Sequence, residues 1–294
     1  MVAAMKGPLR SRVHRFQLGE FEVTTILDGA LVRDAIKPPF CMDQDEATIA
    51  SLAADNFVPS QAFEHTFTPT IVNTGSQLVL FDTGNGAGRR DAGLGYLRTL
   101  LPEAGYQPED VDVVAFTHVH PDHIAGLREE DALAFPNARY VIGQVEYDEW
   151  HRGDKIPPQR QENRDLFLRL VVPLAENMTF LQPDDDVVAG IKAVESYGHS
   201  LGHLSYLVES AGRSCLIWGD VANHYVFSLQ RPAWQVAFDD DKEQAIATRN
   251  RILEMTATEK LLVVGHHMPF PGIGYVEKLN GVYRWVPASY QMRV

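Results

Sequence analysis

The sequence predicts one layered α/β domain over residues 1–294, preceded by an N-terminal arm of about residues 1–15. Three observations predict it. Short β-rich runs alternate with stretches of helical periodicity, and no Pro-, Gly- or Ser-rich linker divides the chain. The composition, 45% hydrophobic and 22% charged, is that of an ordinary globular protein. We therefore expect a single core built from sheets and helices.

The first half of the chain predicts several strands, then a β-α-β unit, then two helices. Alternating or continuous apolar runs predict strands at Phe16–Leu27, Thr68–Asn73, Gln77–Asp82, Val111–Thr117 and Arg139–Gly143. Leucines at helical spacing predict a helix over Gly93–Ala104. Helical periodicity resumes over Gln144–Leu170, where the break at Gly153–Pro158 indicates two helices.

The second half returns to strand patterning around one long helix. The predicted strands are Ile191–Tyr197, Leu204–Glu209, Cys215–Gly219, Lys260–Val264 and Tyr275–Val286, the last turning at Asn280-Gly281. The predicted helix is Lys242–Met255, which the acidic run Asp239–Asp241 would cap. The large number of predicted strands indicates a core that is rich in β-sheet.

Charge and composition restrict the possible partners. The formal charge is 26 minus 39, or −13, which opposes nucleic acid binding. No apolar run approaches the roughly 18 residues of a membrane span, and the first residues do not resemble a secretory leader. Cys41 and Cys215 are too few for a disulfide framework, so we expect buried thiols. We expect a cytoplasmic protein, compatible with a homodimer, that acts on a small-molecule substrate without membrane contact.

The segment that follows Val111–Thr117 carries the strongest chemical signal. It reads His118-Val119-His120-Pro121-Asp122-His123 and holds three imidazoles and a carboxylate. In extended backbone, side chains at i and i+2 share a side, so His118 and His120 can converge on one ion. A helix starting near Asp122 would point Asp122 and His123 elsewhere, where they could hold a second ion. The segment therefore predicts a metal site.

Further metal ligands are expected where later strands end. His199 follows the strand Ile191–Tyr197, and Asp220 follows Cys215–Gly219. His266 and His267 follow the strand Lys260–Val264. Strand ends are where an α/β layer gathers its functional groups.

A competing interpretation assigns a serine nucleophile. Gly198-His199-Ser200-Leu201-Gly202 matches the GxSxG pattern, and Ser200, Asp220 and His267 have the chain order of an α/β-hydrolase triad. That motif needs a helix directly after the serine, whereas Leu204–Glu209 alternates like a strand. It also leaves the histidine-rich segment without a role.

These motifs resemble those of the metallo-β-lactamase superfamily, whose signature is HxHxDH followed by a later His, an Asp and a final His. Leu80-Phe81-Asp82-Thr83-Gly84, Gly198–His203 and Trp218-Gly219-Asp220 extend the resemblance along most of the chain. Tyr106–Val111 and His267–Gly274 look most like the methyl parathion hydrolase group, near the acyl-homoserine lactonases. The resemblance implies a four-layer αββα sandwich.

The resemblance also implies a ligand set. The first metal would bind His118, His120 and His199, and the second would bind Asp122, His123 and His267, with Asp220 bridging them. The Pro-Phe-Pro-Gly phrase favours His267 over His266. Asp82 matches a position that orients a liganding imidazole, and His203 one that lies behind the ligands.

The expected activity is hydrolysis by two divalent metal ions, with Zn²⁺ as the first expectation and Mn, Co or Fe as alternatives. A hydroxide from a metal-bound water of lowered pKa would attack an ester, a lactone or an organophosphate triester. Asp122 and Asp220 are the expected catalytic carboxylates. Asn223 and His224 follow Asp220 and are candidates for binding substrate or donating a proton, or for a loop held by the backbone. Five aromatic residues are candidates for lining the substrate pocket: Tyr147, Trp150, Phe227, Trp234 and Phe270.

Two other functions remain compatible with the sequence. A mono-iron oxygenase of the same fold, resembling persulfide dioxygenases, would need only His118, His120 and a third ligand. A metal-stabilised binding module without activity would need the fold alone. Metal content distinguishes the first from a binuclear hydrolase, and a substrate screen distinguishes the second.

Overall fold

A computed structural model describes residues 3–59, 61 and 63–294. The strands are, in chain order, β1 Val13–Leu18, β2 Phe21–Ile26, β3 Gly29–Arg33, β4 Phe63–Phe67, β5 Thr70–Asn73, β6 Leu78–Phe81, β7 Val113–Ala115, β8 Arg128–Glu129, β9 Ala132–Leu133, β10 Arg139–Gly143, β11 Met178–Leu181, β12 Asp186–Val188, β13 Ile191–Glu195, β14 Leu204–Ser210, β15 Arg213–Ile217, β16 Leu262–Val264, β17 Ile273–Leu279 and β18 Val282–Pro287. The α-helices are α1 Glu46–Asp55, α2 Leu97–Leu100, α3 Pro121–Ile124, α4 Gln144–Arg152, α5 Gln161–Leu170 and α6 Lys242–Glu259.

Two seven-stranded sheets form the centre of the protein. The first has the order β1-β2-β5-β6-β7-β10-β11, antiparallel up to β6 and parallel from β6 to β11. The second has the order β12-β13-β14-β15-β16-β17-β18, in which only β15 and β16 are parallel. The short pairs β3-β4 and β8-β9 lie apart from both sheets.

The core is layered, as the sequence predicts. Apolar residues of both sheets, such as Val113 and Val141 from the first and Tyr206 and Cys215 from the second, form one buried cluster between them. A second cluster packs α4 and α5 on the outer face of the first sheet, and a third packs α6 on the outer face of the second. The predicted αββα sandwich is therefore confirmed.

Two predicted elements are wrong in extent because of glycines. The strand Phe16–Leu27 is divided by a turn at Gly19, whose φ is 58°. A Cβ there would lie 2.2 Å from the carbonyl oxygen of Ser210, so only glycine fits. The helix Gly93–Ala104 shortens to α2, because Gly93 and Gly95 adopt φ of 80° and 77°.

The break at Gly153–Pro158 separates α4 from α5, as predicted, but the sequence did not indicate α1, β3 or β4. β1 begins at Val13, so residues 13–15 of the predicted arm belong to the first sheet, while Met1 and Val2 lie outside the described residues. Cys41 and Cys215 are buried free thiols, as expected. Within the described ranges, no helix combines the length and apolar character needed to cross a membrane.

Candidate metal centre

The histidine-rich segment joins the end of β7 to the start of α3. The backbone of His120 is extended, with φ −65° and ψ 156°, and α3 begins at Pro121. The proline fits the first helical position because its missing N–H would have no intrahelical partner there. Asp122 and His123 lie in this first turn, away from the extended His118 and His120, as the sequence predicts.

His118, His120 and His199 form one group of potential ligands, with one ring nitrogen from each within 4.8 Å of the others. Nδ1 of His120 lies 3.0 Å from Nε2 of His199. Nitrogen ligands at about 2.0–2.1 Å from one tetrahedral ion are separated by roughly 3.4 Å. The spacing therefore resembles that around a shared cation.

A second group contains Asp122, His123, His266 and His267. Oδ2 of Asp122 lies 3.4 Å from Nε2 of His123 and 3.3 Å from Nε2 of His267. Nδ1 of His267 donates to the carbonyl of Thr66 at 2.8 Å, which leaves Nε2 free to bind an ion.

Asp220 connects the two groups. Its Oδ2 lies 3.2 Å from Nε2 of His199 and 3.0 Å from Nε2 of His267. Its Oδ1 lies 3.4 Å from Nε2 of His123. The carboxylate is 3% exposed, so it is a buried charge surrounded by imidazoles of both groups.

Several buried polar atoms at this centre have no hydrogen-bond partner within the described part of the chain. They include Nε2 of His118, His123 and His266, and Oδ1 of Asp220. A buried polar group without a partner costs about 1–3 kcal/mol, so four in one place indicate a missing binding partner. Imidazole nitrogens and carboxylate oxygens are metal ligands suited to Zn²⁺ and similar ions, so the centre fits two divalent metals.

The electrostatics of the centre favour added positive charge. Burial opposes protonation of His199 and His267, yet Asp220 and the neighbouring carboxylates raise the pKa of each ring to about 9. Burial lowers the pKa of His118 well below its usual value, and the nearby His123 lowers it further. The carboxylates thus attract cations, whether protons or metal ions, to this position.

Asp82 contacts the histidine-rich segment and the residue before it through both of its carboxylate oxygens. Its Oδ2 lies 2.8 Å from Nδ1 of His123, and Oδ1 accepts the backbone N–H of Thr117 at 2.8 Å. Asp82 has a φ of 62°, a left-handed conformation that costs energy for a non-glycine residue. The predicted contact between Asp82 and an imidazole is present, and it directs Nε2 of His123 to the centre. His203 lies behind Asp220 and accepts its backbone N–H at Nε2, 3.0 Å away.

Two carboxylates just before α6 form hydrogen bonds with imidazoles of the first group. Neither carboxylate was predicted from the sequence to have this role. Oδ1 of Asp239 lies 3.0 Å from Nδ1 of His199, and Oδ2 of Asp240 lies 3.0 Å from Nε2 of His120. The fully buried Arg249 pairs with Asp239 at 2.6 Å. Only Asp241 caps the helix, so the two surplus acids in this run were the available signal.

Ser200, the alternative nucleophile, is fully buried. It donates to Oε1 of Glu146 at 2.6 Å and accepts from Nε1 of Trp150 at 2.8 Å, so it does not contact His267. The strand β14 follows instead of the helix that a nucleophile elbow requires. The serine-hydrolase interpretation is therefore wrong.

A cavity of about 220 Å³ opens onto the centre. Besides predicted ligands, its walls include Leu31, Arg33, His65, Phe67, Arg160 and Phe238. The five aromatic residues predicted to line a substrate pocket do not line this cavity; Phe270 lines an adjacent one. Phe67 and Phe238 take that role, and both were missed because β4 and the loop before α6 carry no distinctive pattern.

His224, predicted as a catalytic residue, lines the adjacent cavity and not the one at the centre. Its Nδ1 accepts the backbone N–H groups of Val226 and Phe227, and its ring packs against Phe40 and Phe63. Burial lowers its pKa to about 3, so the ring is neutral. These contacts match the second expectation for His224, a side chain satisfied by the backbone of its own loop, and not a catalytic role. Its neighbour Asn223 donates to Oδ2 of Asp220 at 3.0 Å.

Curated relatives share part of the chain. An N-acyl homoserine lactonase of Bacillus cereus is 26% identical over 169 residues, which are 58% of this chain and 60% of the relative. An N-acyl homoserine lactonase of a Bacillus species is 24% identical over 168 residues, or 57% of this chain and 60% of the relative. The match thus spans about three fifths of the length of these relatives.

Solved structures share the fold over nearly the whole chain. AidC, a dizinc quorum-quenching lactonase in complex with a product, has a TM-score of 0.88 at 23% identity, covering 94% of this chain and 97% of AidC. The hydrolase AbOPH of the β-lactamase superfamily has a TM-score of 0.87 at 26% identity, covering 95% of this chain and 98% of AbOPH. The family model of the metallo-β-lactamase superfamily matches residues 68–266, more than half of the chain. The chain therefore belongs to the metallo-β-lactamase superfamily.

Proposed function

We propose that this protein is a hydrolase that uses two divalent metal ions, zinc first among them, to open a lactone or cleave a related ester. The observation that carries the proposal is the position of Asp220, within 3.0–3.4 Å of ring nitrogens from His199, His267 and His123. A carboxylate placed between two groups of imidazoles is suited to bridging a pair of ions.

The proposed ligands follow the two groups. His118, His120 and His199 would hold the first ion, and Asp122, His123 and His267 would hold the second. Asp220 would bind both. Asp82, Asp239 and Asp240 accept from the outward nitrogens of three of these rings, and such contacts fix ring orientation and raise ligand basicity.

The bound ions would lower the pKa of a water and polarise the scissile carbonyl, which removes the need for a protein nucleophile. The residues of the chain would hold the ions and form the cavity for the substrate. Asp220 would hold both ions, and the side-chain amide of Asn223 donates to its carboxylate. Phe67 and Phe238 add apolar surface to the wall of the cavity.

The substrate class rests on the relatives and on the chemistry of the centre. Several relatives are named N-acyl homoserine lactonases, and the AidC structure contains an acyl-homoserine product. Aryl esters and phosphotriesters are the next candidates, because attack at a carbonyl or a phosphoryl group makes the same demands on a pair of ions. Lactones are therefore the first substrates to test.

A mono-iron oxygenase is the main alternative. It would need the first group of ligands only, and it gives no role to Asp122, His123 and His267, which gather around Asp220. Metal analysis distinguishes the two functions, since one iron per chain favours oxygenation and two zinc-like ions favour hydrolysis.

The experiment is a screen of the zinc-loaded protein against N-acyl homoserine lactones, aryl esters, β-lactams and phosphotriesters. We expect turnover of lactones or esters, and a loss of at least about 10³-fold in Asp122→Ala and Asp220→Ala, because each removes a ligand on which the ions depend. Asp186→Ala, at an exposed position of β12 outside the cavity, is the matched control and should keep full activity. Undiminished turnover in either ligand variant, with the fold intact by circular dichroism, would overturn the proposal.

A further inference from the structure

An arginine and a histidine from the β3-β4 pair form part of the cavity wall beside the metal centre. Nε of Arg33 donates to Nδ1 of His65 at 3.1 Å, and the Arg33 guanidinium lies over the ring of Phe238, with its carbon 5.4 Å from the ring centroid. The His65 ring lies 4.3 Å from that of His267, measured between centroids. The guanidinium is thus held on two sides, and the histidine that it contacts packs against His267, a proposed ligand.

One carboxylate, that of Asp122, acts on the Arg33 guanidinium from a distance: burial lowers the pKa of Arg33, and the charge of Asp122 raises it. Among the described residues the Arg33 side chain forms no ion pair within 4 Å, and its one hydrogen bond is to the neutral acceptor His65. Arg160, on the same cavity, differs because its guanidinium pairs with Asp240 at 3.0 Å. The terminal N–H groups of Arg33 are therefore available to a ligand in the cavity.

His65 adds a second donor. Since its Nδ1 accepts from Arg33, the neutral ring carries its proton on Nε2. That Nε2 is buried and has no partner within the described chain, and the side chain lines the cavity. His65 is 3% exposed, so an unused donor at this position is costly unless a ligand accepts from it.

Arginines line the cavity together with the carboxylates Asp122 and Asp220, whose charges the proposed metal ions would offset. Arg33, Arg89 and Arg160 line it, although the net charge of the chain is −13. Arginine is the side chain best suited to bind a carboxylate through two parallel hydrogen bonds. At about 220 Å³, the cavity favours a small substrate over a long-chain one.

We infer that Arg33, positioned by His65, binds a carboxylate on the non-reacting part of the substrate, and that the preferred substrates are small esters or lactones that carry such a group. This inference rests on the proposed hydrolase function and specifies its substrate class. Arg33 is a specificity-determining residue, and His65 is a positioning residue.

The test compares two phenyl esters of equal acyl length with the zinc-loaded protein. Monophenyl glutarate carries a terminal carboxylate, and phenyl pentanoate does not. We expect a higher kcat/KM for the glutarate ester, and Arg33→Gln should lower that value at least tenfold, mainly through KM, while changing the pentanoate value less than twofold. Arg33→Lys should lie between, because it keeps the charge but loses the planar donor pair.

Arg284→Gln is the control for a loss of one positive charge. Arg284 lies on β18 and pairs with Glu277 of β17. It does not line the cavity, and its side chain is 55% exposed. This variant should keep the preference for the glutarate ester. An equal loss on both esters in Arg33→Gln, or no preference in the wild type, would overturn the inference.

A binding measurement separates this inference from the proposed function. The corresponding anilides, glutaranilic acid and pentananilide, are resistant to hydrolysis, and their affinities for the zinc-loaded protein can be measured by calorimetry. Tighter binding of glutaranilic acid that is lost in Arg33→Gln supports the carboxylate site even if neither ester is hydrolysed, a result that would contradict only the proposed function. Equal binding of the two anilides, or binding that does not depend on Arg33, would contradict the carboxylate site alone.

Discussion

Two adjacent histidines after β16 differ in what their ring nitrogens contact. His267 donates from Nδ1 to Thr66 and directs Nε2 to Asp220 and Asp122, at 3.0 Å and 3.3 Å. His266 packs its ring on that of His123, with 4.2 Å between centroids, and its Nε2 has no partner among the described residues. The family resemblance favoured His267 over its neighbour, and the backbone contact of His267 supports the same choice.

We predict that His267→Ala retains about half of the zinc bound by the wild type and loses at least about 10²-fold in activity, because one ion loses a ligand. His266→Ala is the matched control and should retain both ions. Zinc per chain after dialysis, measured by atomic emission, checks this. Loss of an ion in His266→Ala but not in His267→Ala would reverse the assignment.

At the scale of residues, the sequence was informative where one short motif carries the chemistry. The spacing of His118, His120, Asp122 and His123 predicted two directions of projection, and the structure has both. Asp239, Asp240 and Arg33 were not predicted, because their partners lie far away in the chain and depend on how loops and strands meet. His224 lies four residues after Asp220, the proposed bridging carboxylate, yet its ring accepts hydrogen bonds from the backbone of its own loop.

Among the elements, helix α4 connects both loops that carry the first group of ligands. Its Glu146 is fully buried and accepts from the backbone N–H of Val119 at 2.9 Å, from Gly202 at 2.8 Å and from the hydroxyl of Ser200. Val119 lies between His118 and His120, and Ser200 follows His199. Burial raises the pKa of Glu146 to about 7, although these three donors lower it.

We predict that Glu146→Ala destabilises the protein by at least about 3 kcal/mol, because three donors lose their acceptor and a cavity is left. The raised pKa makes the effect depend on pH. The stability from Glu146 is full below its unfolded value of 4.5 and shrinks as the pH rises through about 7. The difference in unfolding free energy should therefore narrow from pH 5 to pH 7 in urea denaturation and change little above pH 7.

Glu149 on the same helix is the control for this variant. Its carboxylate pairs with the exposed Arg152 and Lys155, so Glu149→Ala should cost less than about 1 kcal/mol. Equal costs for the two alanine variants would mean that Glu146 does not hold the ligand loops together.

The elements that the sequence predicted best have strong local signals. Helices α4 and α5 have helical periodicity and flank a Gly-Pro break, and the β17-β18 hairpin turns at Asn280-Gly281. Strands β3 and β4 pair residues that lie 30 to 38 positions apart in the chain, from Arg33 with Phe63 to Gly29 with Phe67. Short strands with distant partners give little sequence pattern. The carboxylate site proposed above depends on this pair.

On the scale of the whole molecule, the layers bring distant segments to one place. The histidine-rich segment leaves the first sheet after β7, while Asp220 and His267 leave the second sheet after β15 and β16. Because the two sheets pack face to face, these strand ends converge at one edge of the sandwich. The fold class followed from the alternation of strands and helices, whereas the pairing of the sheets required the family resemblance.

The most direct test of the account is a titration of the metal-free protein with Zn²⁺ while lactone hydrolysis is recorded. The account predicts activity that rises to a plateau at two equivalents of zinc per chain, because both groups of ligands must be filled and joined by Asp220. A plateau at one equivalent, or hydrolysis that does not depend on metal, would contradict it.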